Sequence, residues 1–215
     1  MAYRHLEELL ADWRRSRAEI DRRLEEFRRL RDAEDPRLFA ELAFCLFAVQ
    51  TAARRSDAAV RELFSSDLPW RGSRAQIASV LKRHVRFHNH KSAYLVAART
   101  RFAQSPGEFR RRIDAFPEAS EAREWLVREI DGFGYKEASH FLRNTGRGSE
   151  LAILDRHVLK NLRRHGVLRS VPDAISRKRY LRIEEKVRGF ARDVGIPLAA
   201  LDLVFWSRET GEVFK

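Results

Sequence analysis

Apolar residues recur at helical spacing through almost the whole chain, and nowhere do they alternate over a sustained stretch. Leu6, Leu9, Leu10, Trp13, Ile20, Leu24, Phe27 and Leu30 fall at steps of three, four or seven, with arginines filling the other face. Asp35-Pro36 then opens a second helix over Leu38 to Val49, because proline suits a first helical turn. Further helices are predicted over roughly 56–65, 73–83, 90–103, 118–130, 135–145, 155–165, 175–193 and 197–208. The Asp-Gly dipeptide at Asp131-Gly132 lies between helical patterns and not between alternating runs, so no hairpin of strands is signalled. An all-α fold follows. It has no internal repeat and no low-complexity linker, and its 215 residues suffice for one large domain or two helical lobes sharing a core.

Charge narrows the partner. The chain carries 43 Lys and Arg against 31 Asp and Glu, a net charge of +12. A thermophile-like surface explains many charges but not this excess of one sign, so an anionic partner is expected. The single cysteine, Cys45, lies in an apolar run and reads as a small buried hydrophobe. One cysteine excludes a disulfide within the chain, a cysteine-ligated zinc and an iron–sulfur cluster. The N-terminus lacks the apolar core of a signal peptide, and the stretch LFAELAFCLFAV is too short to span a bilayer. A soluble intracellular protein is expected.

The stretch REIDGFGYKEASHFLR reads as helix, tight turn, helix. Gly132 and Gly134 permit positive φ and close approach of another molecule. Ile130 and Phe133 can fill the space between the helices, and Ala138, Phe141 and Leu142 form the inner face of the second. Free N–H groups at the start of that second helix suit a phosphate, so the hairpin can grip a DNA backbone without reading its sequence. A plain αα-turn with glycine caps is the bland reading. Lys136 stands in the first turn, where the helix dipole disfavours a cation. It is either a phosphate contact or, with a lowered pKa, an amine nucleophile. Asp155, at the head of LDRHVLKNL, has the position of an N-cap. It serves as a cap only, or as a fixed carboxylate beside an oxocarbenium-like sugar.

His84, His88 and His90 raise the possibility of a metal site, since a spacing of four puts two imidazoles on one helix face. Lys82, Arg83, Arg86 and Lys91 around them would repel a dication, so a basic DNA-facing loop is the expectation and no metal. His157 is expected to be a buried, hydrogen-bonded residue.

Gly-Phe-Gly-x-Lys followed by Asp-x-His-Val resembles the endonuclease III superfamily of helix–hairpin–helix DNA glycosylases. The strings GFGYKEASHFLRN, LAILDRHVLKNL, RFHNHKSAYLVAAR, ELAFCLFAVQTA and LDLVFWSRETGEVFK together resemble the archaeal-type 8-oxoguanine DNA glycosylase/AP lyase family, from about residue 38 onward. That resemblance implies one glycosylase unit over residues 1–215, with two helical lobes and the active site between them. The hairpin lies at about 118–145 and the tail, 209–215, contributes to the base pocket. It implies that Lys136 attacks C1′ of a flipped nucleotide, expels the base and forms a Schiff base that β-eliminates on the 3′ side, with Asp155 as the essential carboxylate. No cofactor is required, although a monovalent cation on the hairpin carbonyls is common in the superfamily. The partner is duplex DNA containing 8-oxoguanine or abasic sites, with no membrane, and the enzyme is expected to be a monomer of the cytoplasm, associated with the nucleoid.

Four more assignments come from the same likeness, each beside an ordinary alternative. Gln50, in AVQTAARRSD, would enter the gap left by the flipped base; otherwise it is a polar residue ending a helix. Phe87 and Trp206 would sandwich the base, or are plain core residues. Lys215 would read the base, its terminal carboxylate accepting from the N7–H that guanine lacks; otherwise it is a frayed end. Two other functions remain open at this point: a non-catalytic helix–hairpin–helix DNA-binding module, which would not need Lys136 and Asp155 together, and a glycosylase of the same fold for another oxidised base.

Overall fold

The computed structural model describes residues 3–215, and every regular element among them is helical. Twelve α-helices appear: α1 Leu6–Arg29, α2 Asp35–Ala48, α3 Ala53–Phe64, α4 Leu68–Arg71, α5 Arg74–Leu81 and α6 His88–Phe102. They continue as α7 Glu108–Asp114, α8 Ala119–Glu129, α9 Tyr135–Asn144, α10 Arg156–Arg164, α11 Arg177–Val194 and α12 Leu198–Thr210. The periodicity places ten of these within a few residues. The short helices α4 and α7 are not legible in it, because four and seven residues complete barely one or two turns.

The chain divides into two compact units. One comprises residues 1–29 and 142–215, and the other residues 30–141.

The second of these, residues 30–141, packs around α2, which is apolar all round. Ten consecutive residues, Leu38 to Phe47, are buried, Glu41 among them. A helix without a polar face sits at the centre of its core. Phe39 of α2 meets Phe109, which joins Phe102, Phe141 and Trp125 in a run of ring contacts of 5.2–6.1 Å. The α8–α9 hairpin belongs here. Ile130, Phe133, Ala138 and Phe141 are buried, as the sequence suggests. Gly132 has φ +85°, and a Cβ there would lie 2.5 Å from Cδ2 of Tyr94. Glycine is therefore demanded twice, by the left-handed backbone and by the close approach of α6.

The other unit is built from α1 and α10 to α12. Leu9, Trp13, Ile20 and Phe27 form the buried stripe of α1, with Glu7 and Glu8 in its first turn and Arg28 and Arg29 in its last, matching the helix dipole at both ends. His165 is fully buried and stacks between Phe190 and Phe205, its Nδ1 2.9 Å from the carbonyl of Arg4. Burial first, then the surrounding cations, pushes its pKa down against the raising effect of that bond. The C-terminal tail continues this core: Val213 and Phe214 are buried, and Gly211 at φ +81° makes the turn from α12.

No helix among the described residues is long and apolar enough to cross a membrane.

Candidate active site

In the unit of residues 30–141, the hairpin fixes Lys136. Glu137, the residue after it, reaches back with Oε2 to accept from the N–H of Gly134 at 3.2 Å, as the third residue of a capping box does. Its Oε1 lies 3.1 Å from Lys136 Nζ. One carboxylate thus caps the helix and steadies the amine. The Lys136 side chain remains 25% exposed, enough for a reacting partner to reach it. At the other flank of the turn, Tyr135 OH donates to Glu124, and Arg123 lies 5.2 Å over the Tyr135 ring while donating to Ser139 Oγ at 3.2 Å. These contacts tie α8 to the start of α9 beneath the turn.

The structure brings Phe87 and Gly132 together. Both line a cleft of about 340 Å³ with Leu46, Val49, His90, Lys91 and Tyr94. Phe87 is 47% exposed and is the one exposed large hydrophobic among the described residues. Its backbone is left-handed, φ 57°, and it caps α6. A large apolar ring held open to solvent in a strained backbone is not a core residue, so that alternative is set aside. Gln50 is likewise left-handed, φ 52°, and fully outside the core, directly after α2.

Lys91 is the residue that sequence reasoning missed here. It reads as one more member of a basic run, yet it is 3% exposed. Its Nζ donates to the carbonyls of Phe47 and Val49, both at 2.7 Å, and to Thr51 Oγ1 at 3.0 Å. Burial, followed by the cations of Lys136 and Arg86, pushes its pKa down to about 8. Only its contacts distant in sequence set it apart from Lys82 or Arg83. Of the three histidines, His84 is 2.6 Å from Glu62, whose carboxyl is held low by that bond and by Arg83, and His90 packs against Tyr94. No group of three metal-binding side chains occurs among the described residues.

In the unit of residues 1–29 and 142–215, Asp155 is the N-cap of α10. Its φ and ψ are −84° and 178°, and its Oδ1 accepts from the N–H of Val158 at 2.7 Å. The preceding run, Leu151 to Leu154, is buried but forms no strand. Ala152 within it is satisfied instead by Glu184, which accepts from its N–H at 2.8 Å, and by Tyr180, which donates to its carbonyl at 2.6 Å. Asp202 lies near enough to Asp155 to feel its charge. Burial, partly offset by Arg143 and reinforced by Asp155, pushes Asp202 up to about 6. Arg143, its side chain 2% exposed, donates to Asp202 at 2.9 Å and lies 4.8 Å over the ring of Phe27. Neither Asp202 nor Arg143 carries a sequence signal of its own.

Trp206 packs edge-on against His157 with centroids 5.2 Å apart. Its indole N–H is buried and has no acceptor among the described residues. Glu209 ties α12 to α10: it accepts from Lys160 at 2.9 Å and from Asn161 at 3.3 Å, and these contacts hold its pKa down. His157 is half-buried, 3.9 Å from the same carboxylate, and not the fully buried residue expected. The tail that follows is packed through Val213 and Phe214, and Lys215 is half-buried, so the frayed end is not what the fold adopts.

The chain is similar to known proteins over nearly its whole length. Residues 20–196 match the family model described as 8-oxoguanine DNA glycosylase. An 8-oxoguanine DNA glycosylase/AP lyase of Fusobacterium nucleatum is 39% identical over 196 residues, covering 90% of this chain and 89% of that protein. Its counterpart from Methanocaldococcus jannaschii is 36% identical, covering 91% of each. The crystal structure of the Methanocaldococcus jannaschii glycosylase/lyase in complex with a 15mer DNA containing 8-oxoguanine superposes with a TM-score of 0.88 at 33% identity, over 97% of this chain and 98% of that one. The Thermotoga maritima 8-oxoguanine DNA glycosylase gives 0.88 at 32% identity, over 98% of each chain. By sequence and by its helix–hairpin–helix fold, the chain belongs to the 8-oxoguanine DNA glycosylase/AP lyase family.

Proposed function

We propose that this protein is a bifunctional DNA repair enzyme that excises 8-oxoguanine and cleaves the resulting abasic site through a lysine Schiff base. The observation that carries the reading is Lys136, a cation in the dipole-disfavoured first turn of α9, within a chain of this family. A plain surface lysine would have the helix dipole against it there, with only the Glu137 carboxylate in its favour, whereas a nucleophile gains a rigid helix start that also presents phosphate-binding N–H groups.

The neutral amine of Lys136 attacks C1′ of the flipped nucleotide. The C1′–N9 bond breaks, and the base leaves with that electron pair and gains a proton. The Lys136 nitrogen loses its proton as the sugar ring opens to the Schiff base. Loss of a C2′ proton then drives the C3′–O bond to break, and the 3′ phosphate departs as leaving group. Asp155, oriented by its cap bond from Val158, stabilises positive charge on the sugar as it develops. The chemistry needs no cofactor of its own. A monovalent cation on the hairpin carbonyls would serve DNA binding and not the bond changes. Gly132 and Gly134 let the hairpin approach a phosphate, Gln50 fills the duplex gap, and Phe87 and Trp206 stack on the base. The unpaired Trp206 N–H supports a ligand at that ring, since a buried donor ordinarily has a partner. Lys215, on a packed tail, reads the base. The enzyme acts on duplex DNA as a monomer in the cytoplasm.

Strand cleavage at duplexes holding one 8-oxoguanine, one dihydrothymine or one preformed abasic site tests the assignment. Cleavage of the first and third is expected, with the second inert. Deleting Lys215 is expected to abolish excision of 8-oxoguanine while largely keeping abasic-site cleavage. Equal loss of both would reject the tail as base reader, and preferred cleavage at dihydrothymine would reject the substrate.

A further inference from the structure

Two candidate DNA-touching residues share an oddity. Gln50 and Phe87 are two of the three non-glycine residues with positive φ among the described residues, at 52° and 57°. Side chains other than glycine rarely hold that backbone unless the surroundings over-determine it, and such positions gather at functional sites. The surroundings here are one network. Lys91 donates its three ammonium protons to Phe47 O, Val49 O and Thr51 Oγ1, the residues on either side of Gln50. Thr51 Oγ1 also accepts from the N–H of Arg86, the residue before Phe87, at 3.3 Å. The backbone N–H of Lys91 itself donates to the carbonyl of Phe87 at 3.0 Å. Arg86 lies over the Phe87 ring at 5.5 Å.

We propose that Lys91 is a positioning residue that locks the Gln50 loop and the Phe87 loop into one rigid presentation, so that filling the duplex gap and stacking on the flipped base occur as a single step. The ammonium is suited to this role. Carbonyls at the end of α2 have no intrahelical donors, and a buried cation satisfies two of them and the threonine hydroxyl at once. Within the Gln50 loop, Thr51 donates its N–H to the Ala48 carbonyl at 3.2 Å and its hydroxyl to the Val49 carbonyl at 3.4 Å, and the tie from that loop to the Phe87 loop runs through Lys91 and the Arg86 N–H. The proposal rests on the roles given above to Gln50 and Phe87.

The test is a double-mutant cycle between Lys91→Met and Gln50→Ala. It is read by single-turnover excision from a duplex with 8-oxoguanine and by fluorescence of a 2-aminopurine beside the lesion, which brightens when unstacked. Each single variant is expected to slow excision by about tenfold or more and to blunt the fluorescence rise. The double variant is expected to be no slower than the worse single one, because both changes disable one step. Losses that multiply, or excision by Lys91→Met within about twofold of the parent below its melting temperature, overturn the proposal. Should Lys91→Met fail to fold, Thr51→Val runs the same cycle, with Thr51→Ser expected to keep parental rates and fluorescence. Borohydride trapping of the parent protein separates the two layers. A parent that forms no adduct refutes the enzymatic reading beneath the proposal, whereas an adduct alongside multiplying losses refutes the role of Lys91 alone.

Discussion

Burying Lys91 has a measurable cost that depends on pH. Its folded pKa of about 8 lies below the ordinary 10.5, so between those values the unfolded chain holds a proton that the folded one has released. Stability contributed by this residue therefore rises with pH through that window, and the burden is full below about 8. Across the whole window the change is on the order of 3 kcal/mol. Urea unfolding of the parent and of Lys91→Met at about pH 7.5 and about pH 10 is expected to show the parent gaining on the variant; a constant difference would contradict the burial. At this scale Lys136 and Asp155 were legible because each breaks or completes a local rule, a cation in a first turn and an aspartate heading an apolar run. Lys91, Arg143 and Asp202 were not. What distinguishes them is burial and partners 40 to 59 residues away, which one lysine or arginine among 43 cannot announce.

Among the elements, α10 separates structure from chemistry most cleanly. Asp155 both caps this helix and stands as the candidate carboxylate, and the two duties respond differently to Asp155→Asn. The amide oxygen can still accept from Val158, so stability is expected to fall by less than about 0.5 kcal/mol. The charge is gone, so strand cleavage is expected to fall by about 100-fold or more. Melting curves alongside single-turnover cleavage check both halves, and a variant that melts normally and cleaves normally would leave Asp155 a cap alone. The hairpin was legible as an element because glycine spacing and apolar spacing agree there. Phe133 and Ile130 fill its interior as their places in the turn require. The helices α4 and α7 lacked such agreement. The first is the four residues Leu68–Arg71, held by carbonyls of Asp67 and Leu68 and by Pro69 at its start, and nothing periodic fits in so short a span.

For the molecule as a whole, the excess of 12 positive charges is the feature that bears on DNA independently of any lesion. If six or more phosphates are neutralised, affinity for an undamaged duplex is expected to drop by about 10³-fold between about 50 and 200 mM salt. A fluorescence-anisotropy titration series gives the slope, and a flat response would remove the backbone-clamp part of the account. The all-helical class was open to sequence reasoning because periodicity is repeated in ten separate segments. The division into two compact units was not, since the first 29 residues join the last 74 in one of them, and nothing local marks that pairing. The central claim is that the Lys136 amine becomes covalently joined to the sugar. Borohydride reduction during incubation with a duplex carrying a single 8-oxoguanine measures it directly. A protein–DNA adduct that forms with the parent and is absent with Lys136→Gln is the expected result; binding without any adduct, or an adduct retained in full by Lys136→Gln, would contradict it.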